Sequence, residues 1–290
     1  MYNKFMNKNY VEIIRKALAE DAASKDVSTR SVVPAASIIR AELVAKQDGV
    51  LCGLDIVRDV FCTMDGRCRL MPFAKDGDKV KAGQIFAQVR GPAREILAAE
   101  RTALNFIQHL SGIATLTSLY VEKTKGTAAK IYDTRKTVPG MRDLAKYAVR
   151  CGGGKNHRMN LEEMVMFKDN HLKIARDIPA SIAALRKQKP ARKIEVECES
   201  MDELAAALEY RPDIILLDNM DLPLLRRAIT AIKKWSQTNK TRRPEIEISG
   251  GVKLDMVRSY AATGVDRISA GAITHSAPAL DISLEIVSMQ

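Results

Sequence analysis

From about residue 130 to residue 268, short apolar segments alternate with amphipathic segments whose apolar residues recur at helical spacing. The apolar segments predict strands at residues 131–132, 164–167, 194–196, 214–217, 245–248 and 265–268. The segments between them predict helices at residues 141–150, 179–187, 201–210, 222–235 and 254–263. Such alternation is typical of parallel β/α units. Six units fall short of a full (β/α)₈ barrel, so we predict an α/β barrel with fewer than eight strands; an open doubly wound sheet is the alternative.

Charged residues or glycines lie at the carboxyl end of every predicted strand. They are Asp133-Thr134-Arg135-Lys136, Lys168-Asp169-Asn170, Glu195 with Glu197 and Glu199, Asp218-Asn219, Ser249-Gly250-Gly251 and Ser269-Ala270-Gly271. A single Asp-Asn pair after a strand is usually a turn or a helix cap. Six such groups in succession are instead typical of a barrel whose active site lies at that edge.

The first 110 or so residues follow a different pattern. Helices are predicted at residues 11–19 and 93–111, the second containing Arg101. Residues 75–91 have the Gly-Asp-x-Val-x-x-Gly rhythm of a small β-sandwich and resemble biotinyl and lipoyl carrier domains, but they lack the lysine displayed at a hairpin, which argues against a carrier role. We predict an N-terminal α/β sandwich domain at 1–114, the barrel at 115–276, and a C-terminal segment at 277–290 that packs on the N-terminal domain.

The net charge of +11 indicates an anionic partner, for which nucleic acid, a membrane surface and a small polyanionic substrate are the alternatives. The basic residues concentrate at 134–158, where seven lysines and arginines accompany one acid, Asp143. This segment contains a predicted helix and glycines, so it favours a folded anion pocket over a basic arm; a solvated helix face accounts for Arg142, Lys146 and Arg150.

Cysteine usage and hydropathy indicate a cytoplasmic protein. The five cysteines are scattered without a C-x-x-C pair, which is typical of reduced thiols in the cytosol. The four histidines are also dispersed, so a metal site built on cysteine and histidine is disfavoured. The sequence has no apolar run near the ~20 residues of a membrane span and no secretion signal at 1–10.

The strand-end residues together predict a site for a phosphorylated ribose and acidic groups. Backbone N–H groups of glycine turns bind phosphate. Carboxylates from neighbouring strands, Glu197 and Asp218, suit ribose hydroxyls or Mg²⁺, which prefers oxygen ligands. Clustered arginine and lysine side chains suit carboxylates and pyrophosphate; they are Arg135, Lys136, Arg158 and Lys168, with His157 beside them.

Seven segments, in order along the chain, resemble the quinolinate phosphoribosyltransferase family. They are AERTALNFIQHLSGIAT (99–115), DTRKTVPGMRDLAKYAVRCGGGKNHR (133–158), KDNH (168–171), EVECES (195–200), LLDNM (216–220), ISGG (248–251) and AGAITHSAPALDISLEI (270–286). The family's early segment usually has a glycine between its Glu-Asp and the next Asp, whereas this chain reads EDAASKD at 20–26. The departure puts the local loop conformation in doubt, not the activity.

The resemblance implies an N-terminal α/β sandwich domain, an incomplete barrel and a homodimer, sometimes assembled further, in which one N-terminal domain covers the partner's barrel mouth. It implies transfer of phosphoribose from phosphoribosyl pyrophosphate to quinolinate, with loss of CO₂, in NAD biosynthesis. Mg²⁺ is the implied cofactor. Neither nucleic acid nor membrane is an expected partner.

The resemblance also implies roles for individual residues. Arg101 would reach the partner's site and bind a quinolinate carboxylate, and Lys136 would lie between the two substrates. Lys136, Lys168, Glu197 and Asp218 would be catalytic, the last two facing Mg²⁺ directly or through substrate or water. The full set expected to bind substrate is Arg101, Thr134, Arg135, Lys136, His157, Arg158, Lys168, Glu197, Asp218, Ser249, Gly250, Gly251, Ala270, Gly271, Ala272 and His275.

Rival interpretations make separate predictions. Nicotinate phosphoribosyltransferase handles one carboxylate rather than two, so the dense basic cluster favours quinolinate. The purine-salvage type would need two acids and a Thr/Gly loop where this chain has Asp218-Asn219-Met220. A nucleic-acid-binding protein would account for the charge but not for carboxylates and glycine turns ordered on strand ends, and the chain has few aromatic residues for stacking.

Overall fold

A computed structural model describes residues 9–168, 171, 174, 177–188 and 192–290. The predicted Asp169 and Asn170 lie outside the described residues, as do residues 1–8. The chain divides into two compact units. The first combines the chain up to Ser118 with Pro139–Gly153 and Ala277–Gln290, and the second combines Leu119–Val138 with Gly154–Ser276.

The described elements are numbered in chain order. The helices are α1 (Asn9–Glu20), α2 (Val27–Val32), α3 (Leu54–Met64), α4 (Ala93–Lys123), α5 (Arg142–Cys151), α6 (Ile178–Gln188), α7 (Met201–Glu209), α8 (Leu222–Thr238), α9 (Val257–Ala261) and α10 (Ala272–His275). The strands are β1 (Ile38–Ala45), β2 (Gly49–Val50), β3 (Arg69–Pro72), β4 (Lys79–Val80), β5 (Ile85–Pro92), β6 (Lys130–Tyr132), β7 (Val165–Phe167), β8 (Ile194–Cys198), β9 (Ile214–Asp218), β10 (Glu245–Ser249), β11 (Arg267–Ser269) and β12 (Ile282–Met289).

The first unit contains an antiparallel sheet in the order β12-β1-β5-β3 and a short pair, β2-β4. Side chains in a strand alternate between faces, and Ile39, Ala41 and Leu43 of β1 are accordingly buried on one face. The last strand of the chain pairs with β1 in a register that sets Leu43 opposite Leu284. The C-terminal segment therefore completes the sheet that the N-terminal segment begins.

Two local features of the first unit refine the sequence predictions. The helix predicted to end at 111 continues to Lys123 through Gly112, where an added Cβ atom would lie 2.1 Å from the Pro278 carbonyl oxygen. This glycine serves close packing rather than helix termination. In the segment that departs from the family pattern, Ala22 has a φ of 48°, so it keeps the left-handed conformation that glycine adopts most readily.

The second unit contains a six-stranded sheet in the order β6-β11-β10-β9-β8-β7, parallel throughout. The first of these strands in the chain lies beside the last, and the second, β7, lies at the far end. This cyclic order belongs to a barrel left open between β6 and β7, not to a doubly wound sheet, whose order reverses at an internal point. The predicted two-domain fold with a barrel of fewer than eight strands is confirmed.

Strands β8 and β10 of the barrel have apolar residues on one face and charged residues on the other. Ile194, Val196 and Cys198 of β8 are buried, and so are Glu195 and Glu197 between them. Glu247 alternates in the same way with Ile246 and Ile248 on β10. The carboxylates of Glu195, Glu197 and Glu247 therefore lie on the interior face of the barrel. None of the described helices has the length and apolar character needed to cross a bilayer.

Candidate active site

A cavity of about 590 Å³ lies at the carboxyl ends of the parallel strands of the second unit. That volume suits a small-molecule site. Every substrate-binding residue predicted in this unit lines the cavity except Ala270, which is buried and donates its backbone N–H to the Tyr132 carbonyl. Arg101 is an exposed residue of α4 and is not among the lining residues. The lining residues are Thr134, Arg135, Lys136, His157, Arg158, Met166, Lys168, Glu197, Leu216, Asp218, Glu247, Ser249, Gly250, Gly251, Val252, Lys253, Ser269, Gly271, Ala272 and His275.

Buried Asp133 holds the segment that carries His157 and Arg158. Its carboxylate accepts the backbone N–H of His157 at 2.9 Å and the side-chain amide of Asn156. Backbone hydrogen bonds pair Lys155 with Ile131 and Asp133 alongside the end of β6. This segment therefore lies where the barrel is open, and it places two basic side chains at the cavity.

His157 faces two buried carboxylates. Its Nε2 lies 3.2 Å from Glu195 Oε2 and 3.3 Å from Glu247 Oε1. Burial alone would lower the pKa of His157, but hydrogen bonding and charge from both glutamates outweigh it and raise the pKa to about 9. In the neutral ring, Nδ1 accepts the Arg158 backbone N–H at 2.8 Å. When the ring takes up a second proton at Nδ1, it loses the hydrogen bond from the Arg158 N–H. The charged ring then lies next to two buried carboxylates.

Arg158 is largely buried in the cavity wall, where it donates to the Met164 carbonyl at 3.1 Å. Burial, and then the charge of neighbouring Arg135, lower the pKa of the Arg158 guanidinium. The group remains protonated because arginine starts far above neutral pH. Two like charges lining one cavity repel each other, and a bound anion relieves that repulsion. The pair therefore suits a carboxylate ligand.

Carboxylates from β8 and β9 form the acidic side of the cavity. Oxygen atoms of Glu197, Glu199 and Asp218 lie within 4.8 Å of one another. Lys168 forms an ion pair with Glu197, and burial raises the pKa of Asp218 from its ordinary value. Such closely spaced carboxylate oxygens fit the ligand preference of Mg²⁺. The donor set is therefore compatible with the predicted metal.

Glycine is locally required at Gly250 and is closely surrounded at Gly271. Gly250 has a φ of 90°, and a Cβ atom there would lie 2.2 Å from Asn219 Oδ1. A Cβ atom at Gly271 would lie 3.1 Å from Lys136 Cδ and 3.2 Å from the His275 ring. The Thr274 hydroxyl donates to the Lys136 carbonyl at 2.8 Å, which ties the first strand end to the last. Backbone N–H groups and Lys136 thus adjoin one side of the cavity.

Two charged lining residues, Glu247 and Lys253, were not predicted from the sequence. Glu247 lies two residues before Ser249 on β10, and Glu195 lies two before Glu197 on β8. Period-two alternation would have placed both glutamates on the interior face. Nothing in the pattern distinguishes Lys253 from other exposed lysines, and only its position after the Gly250-Gly251 turn brings it to the cavity.

Comparison with known proteins decides the family. The model described as "Quinolinate phosphoribosyl transferase, C-terminal domain" matches residues 113–285, and the model of the N-terminal domain matches residues 26–111. The chain belongs to the quinolinate phosphoribosyltransferase family. Nicotinate-nucleotide pyrophosphorylase [carboxylating] of Mycobacterium leprae is 40% identical over 281 residues, which cover 95% of this chain and 96% of that protein.

Further members of the quinolinate phosphoribosyltransferase family agree over nearly full length. The probable nicotinate-nucleotide pyrophosphorylase [carboxylating] of Methanocaldococcus jannaschii is 39% identical, covering 98% of this chain and 100% of that protein. The solved nicotinate-nucleotide pyrophosphorylase of Francisella tularensis superposes with a TM-score of 0.89 at 35% identity, covering 98% of each chain. The resemblance inferred from the seven segments is confirmed.

Proposed function

We propose that this protein transfers phosphoribose from phosphoribosyl pyrophosphate to the ring nitrogen of quinolinate, releasing pyrophosphate and CO₂ and forming nicotinate mononucleotide. The observation that carries the proposal is the division of one cavity into a basic wall and an acidic, glycine-turn wall. Five lysines and arginines line the cavity, against three glutamates and aspartates. A dicarboxylate and a phosphorylated sugar together use both walls.

The basic wall suits the pyridine dicarboxylate. Arg135 and Arg158 present planar guanidinium groups, which bind carboxylates in a bidentate manner. Lys168 lines the cavity from the end of β7, the strand against which Arg158 packs. Fixing both carboxylates orients the ring nitrogen toward the sugar, and such orientation lowers the barrier of a two-substrate reaction.

The other wall suits phosphoribosyl pyrophosphate. The turns at Gly250-Gly251 and Gly271 offer backbone N–H groups to the 5-phosphate, with His275 beside them. Lys136, whose side chain lies beside Gly271, would lie between the two substrates and bind the pyrophosphate that leaves. Lys253 adds another cation next to the first glycine turn.

Glu197 and Asp218 would hold Mg²⁺, with Glu199 close enough to assist. The ion supplies charge neutralisation for the departing pyrophosphate. The same carboxylates adjoin the ribose, where they stabilise the positive charge that develops as the bond to pyrophosphate breaks. Ring-nitrogen ribosylation makes the pyridine cationic, and the cationic ring stabilises the carbanion left when the adjacent carboxylate departs as CO₂.

The assembly and location belong to the same proposal. Arg101 is exposed on the first unit. In a homodimer of the family type it would complete the partner's basic wall with a further guanidinium for quinolinate. The reaction is assigned to the cytoplasm, where the five cysteines, all unpaired, stay reduced.

The decisive experiment measures release of labelled CO₂ from quinolinate labelled in its 2-carboxylate. Release that requires both phosphoribosyl pyrophosphate and Mg²⁺ supports the proposal. Parallel assays with labelled nicotinate follow mononucleotide formation. If the folded protein converts nicotinate but not quinolinate, its activity is that of a nicotinate phosphoribosyltransferase. Inactivity on both acids would refute the proposal.

A further inference from the structure

Glu195 and Glu247 are two fully buried carboxylates that converge on one ring nitrogen. They come from β8 and β10, which flank β9, and both side chains are 0% exposed. Their carboxylate oxygens lie 3.2 Å and 3.3 Å from His157 Nε2. Glu247 lines the cavity, but the reaction proposed above gives neither glutamate a contact with substrate or metal. Burying two charges is costly unless partners compensate them, so the arrangement calls for an explanation.

The two glutamates differ in their other partners. Glu247 accepts a hydrogen bond from the Ser269 hydroxyl at 2.6 Å and lies 3.5 Å from an Arg267 nitrogen. Among the described residues, no group other than His157 lies within hydrogen-bonding reach of the Glu195 carboxylate. Arg267 also pairs with Glu245 at 2.6 Å. His157 is therefore the side chain that contacts the Glu195 carboxylate most directly.

Contacts at both ring nitrogens and at the backbone hold the imidazole of His157 in place. Its Nε2 faces the two glutamates, its Nδ1 lies 2.8 Å from the Arg158 backbone nitrogen, and its own backbone N–H is bound by Asp133. The ring nonetheless lines the cavity. Both ring nitrogens face protein groups, so the orientation of the ring is fixed before a ligand binds in the cavity.

We propose that Glu195 and Glu247 are positioning residues that act through His157 Nε2 and that the affinity for the pyridine dicarboxylate depends on the ring being held in this orientation. The inference rests on the proposed function for the identity of the ligand. It assigns the glutamates no contact with substrate.

The kinetic test compares Glu195→Gln and Glu247→Gln with a matched control, Glu245→Gln. Glu245 lies on the same strand as Glu247 and pairs with Arg267, but it does not contact His157. Each of the first two variants is expected to raise KM for quinolinate by about fivefold or more, with KM for phosphoribosyl pyrophosphate and kcat changed less than about twofold. In a His157→Ala background the same changes are expected to have no further effect, because residues that act through one group are not additive. Undiminished effects in that background, or equal effects of Glu245→Gln, would overturn the inference.

A second measurement reads the ring directly. The ¹⁵N resonances of His157 are assigned by their loss in His157→Gln and recorded at one fixed pH. Either glutamine variant is expected to shift the Nε2 resonance and to speed exchange of its proton, whereas Glu245→Gln leaves both unchanged. Unaltered Nε2 signals in folded Glu195→Gln and Glu247→Gln would overturn the inference. If Glu247→Gln fails to fold, Ser269→Ala, which removes one hydrogen bond to Glu247, takes its place. Wild-type protein that releases no CO₂ would refute the proposed function alone, and the resonances would still decide the positioning role.

Discussion

Lys168 and Glu197 form an ion pair across the carboxyl ends of the adjacent strands β7 and β8. The Lys168 side chain is 44% exposed, whereas the Glu197 side chain is only 8% exposed. The lysine is therefore the more accessible partner, and the carboxylate is buried in the cavity wall. The basic and acidic walls of the site therefore meet at this pair. Substrates that occupy both walls must bind on either side of it.

Replacing Lys136 or Lys168, two of the three lysines that line the cavity, should sharply lower turnover and leave the fold intact. Lys168→Ala and Lys136→Ala are each expected to lower kcat/KM by about 100-fold or more, because each removes a cation aimed at developing or bound anionic charge. The unfolding free energy should change by about 1 kcal/mol or less for Lys168→Ala, since partly exposed ion pairs contribute little. Steady-state kinetics and urea denaturation check both statements. Lys187→Ala, an exposed lysine of α6, is the matched control, and near-normal rates in both cavity variants would mean the site is misplaced.

The Gly250-Gly251 turn allows strain and steric overlap to be separated. Gly251 has a φ of 56° and open space around its Cα atom, so Gly251→Ala should cost about 1–2 kcal/mol of unfolding free energy through backbone strain alone. Gly250→Ala adds overlap with Asn219 and should cost more, with a higher KM for phosphoribosyl pyrophosphate. Urea denaturation of both variants checks the order. Equal costs would contradict the close approach of Asn219.

The stability of the protein should fall as pH rises through the titration of His157. The pKa of His157 in the folded protein is raised to about 9 from its ordinary value of 6.5. The folded state thus binds the extra proton between these values, so the stabilisation is fully present below pH 6.5 and is lost as pH approaches 9 and above. We expect wild type to lose about 1–3 kcal/mol more than His157→Gln over this interval. Urea denaturation at several pH values gives the difference, and parallel curves for the two proteins would contradict the charged ring.

Mixing inactive variants tests whether subunits share the site. Arg101→Ala removes a side chain of the first unit, and Lys168→Ala removes one from the barrel. If Arg101 completes the partner's cavity, mixed dimers contain one site with both residues intact and should recover up to about half the activity of a wild-type dimer. Exchange is verified by mass spectrometry of differently tagged subunits. No recovery despite confirmed exchange would indicate self-contained subunits.

Much of the second unit was predictable because its signals are local. The six strands and five helices follow from apolar periodicity, and the strand-end residues follow because parallel strands bring their carboxyl ends to one edge. Arg135, Lys168, Glu197 and Asp218 line one cavity as that reasoning expects. The family resemblance, rather than periodicity, carried the identity of the substrates.

The amino-acid sequence by itself determined the β/α alternation, the strand-end chemistry and the family, since each is written in residue types and short spacings. Only the tertiary structure decided which distant groups meet. Glu195 and Glu247 converge on His157 because non-adjacent strands curve around one barrel interior. The Pro278 backbone approaches α4 closely at Gly112, which accounts for a glycine inside this helix rather than at its end. Both outcomes depend on distances between residues far apart in the chain. Tertiary packing sets those distances, and local periodicity in the sequence carries no information about them.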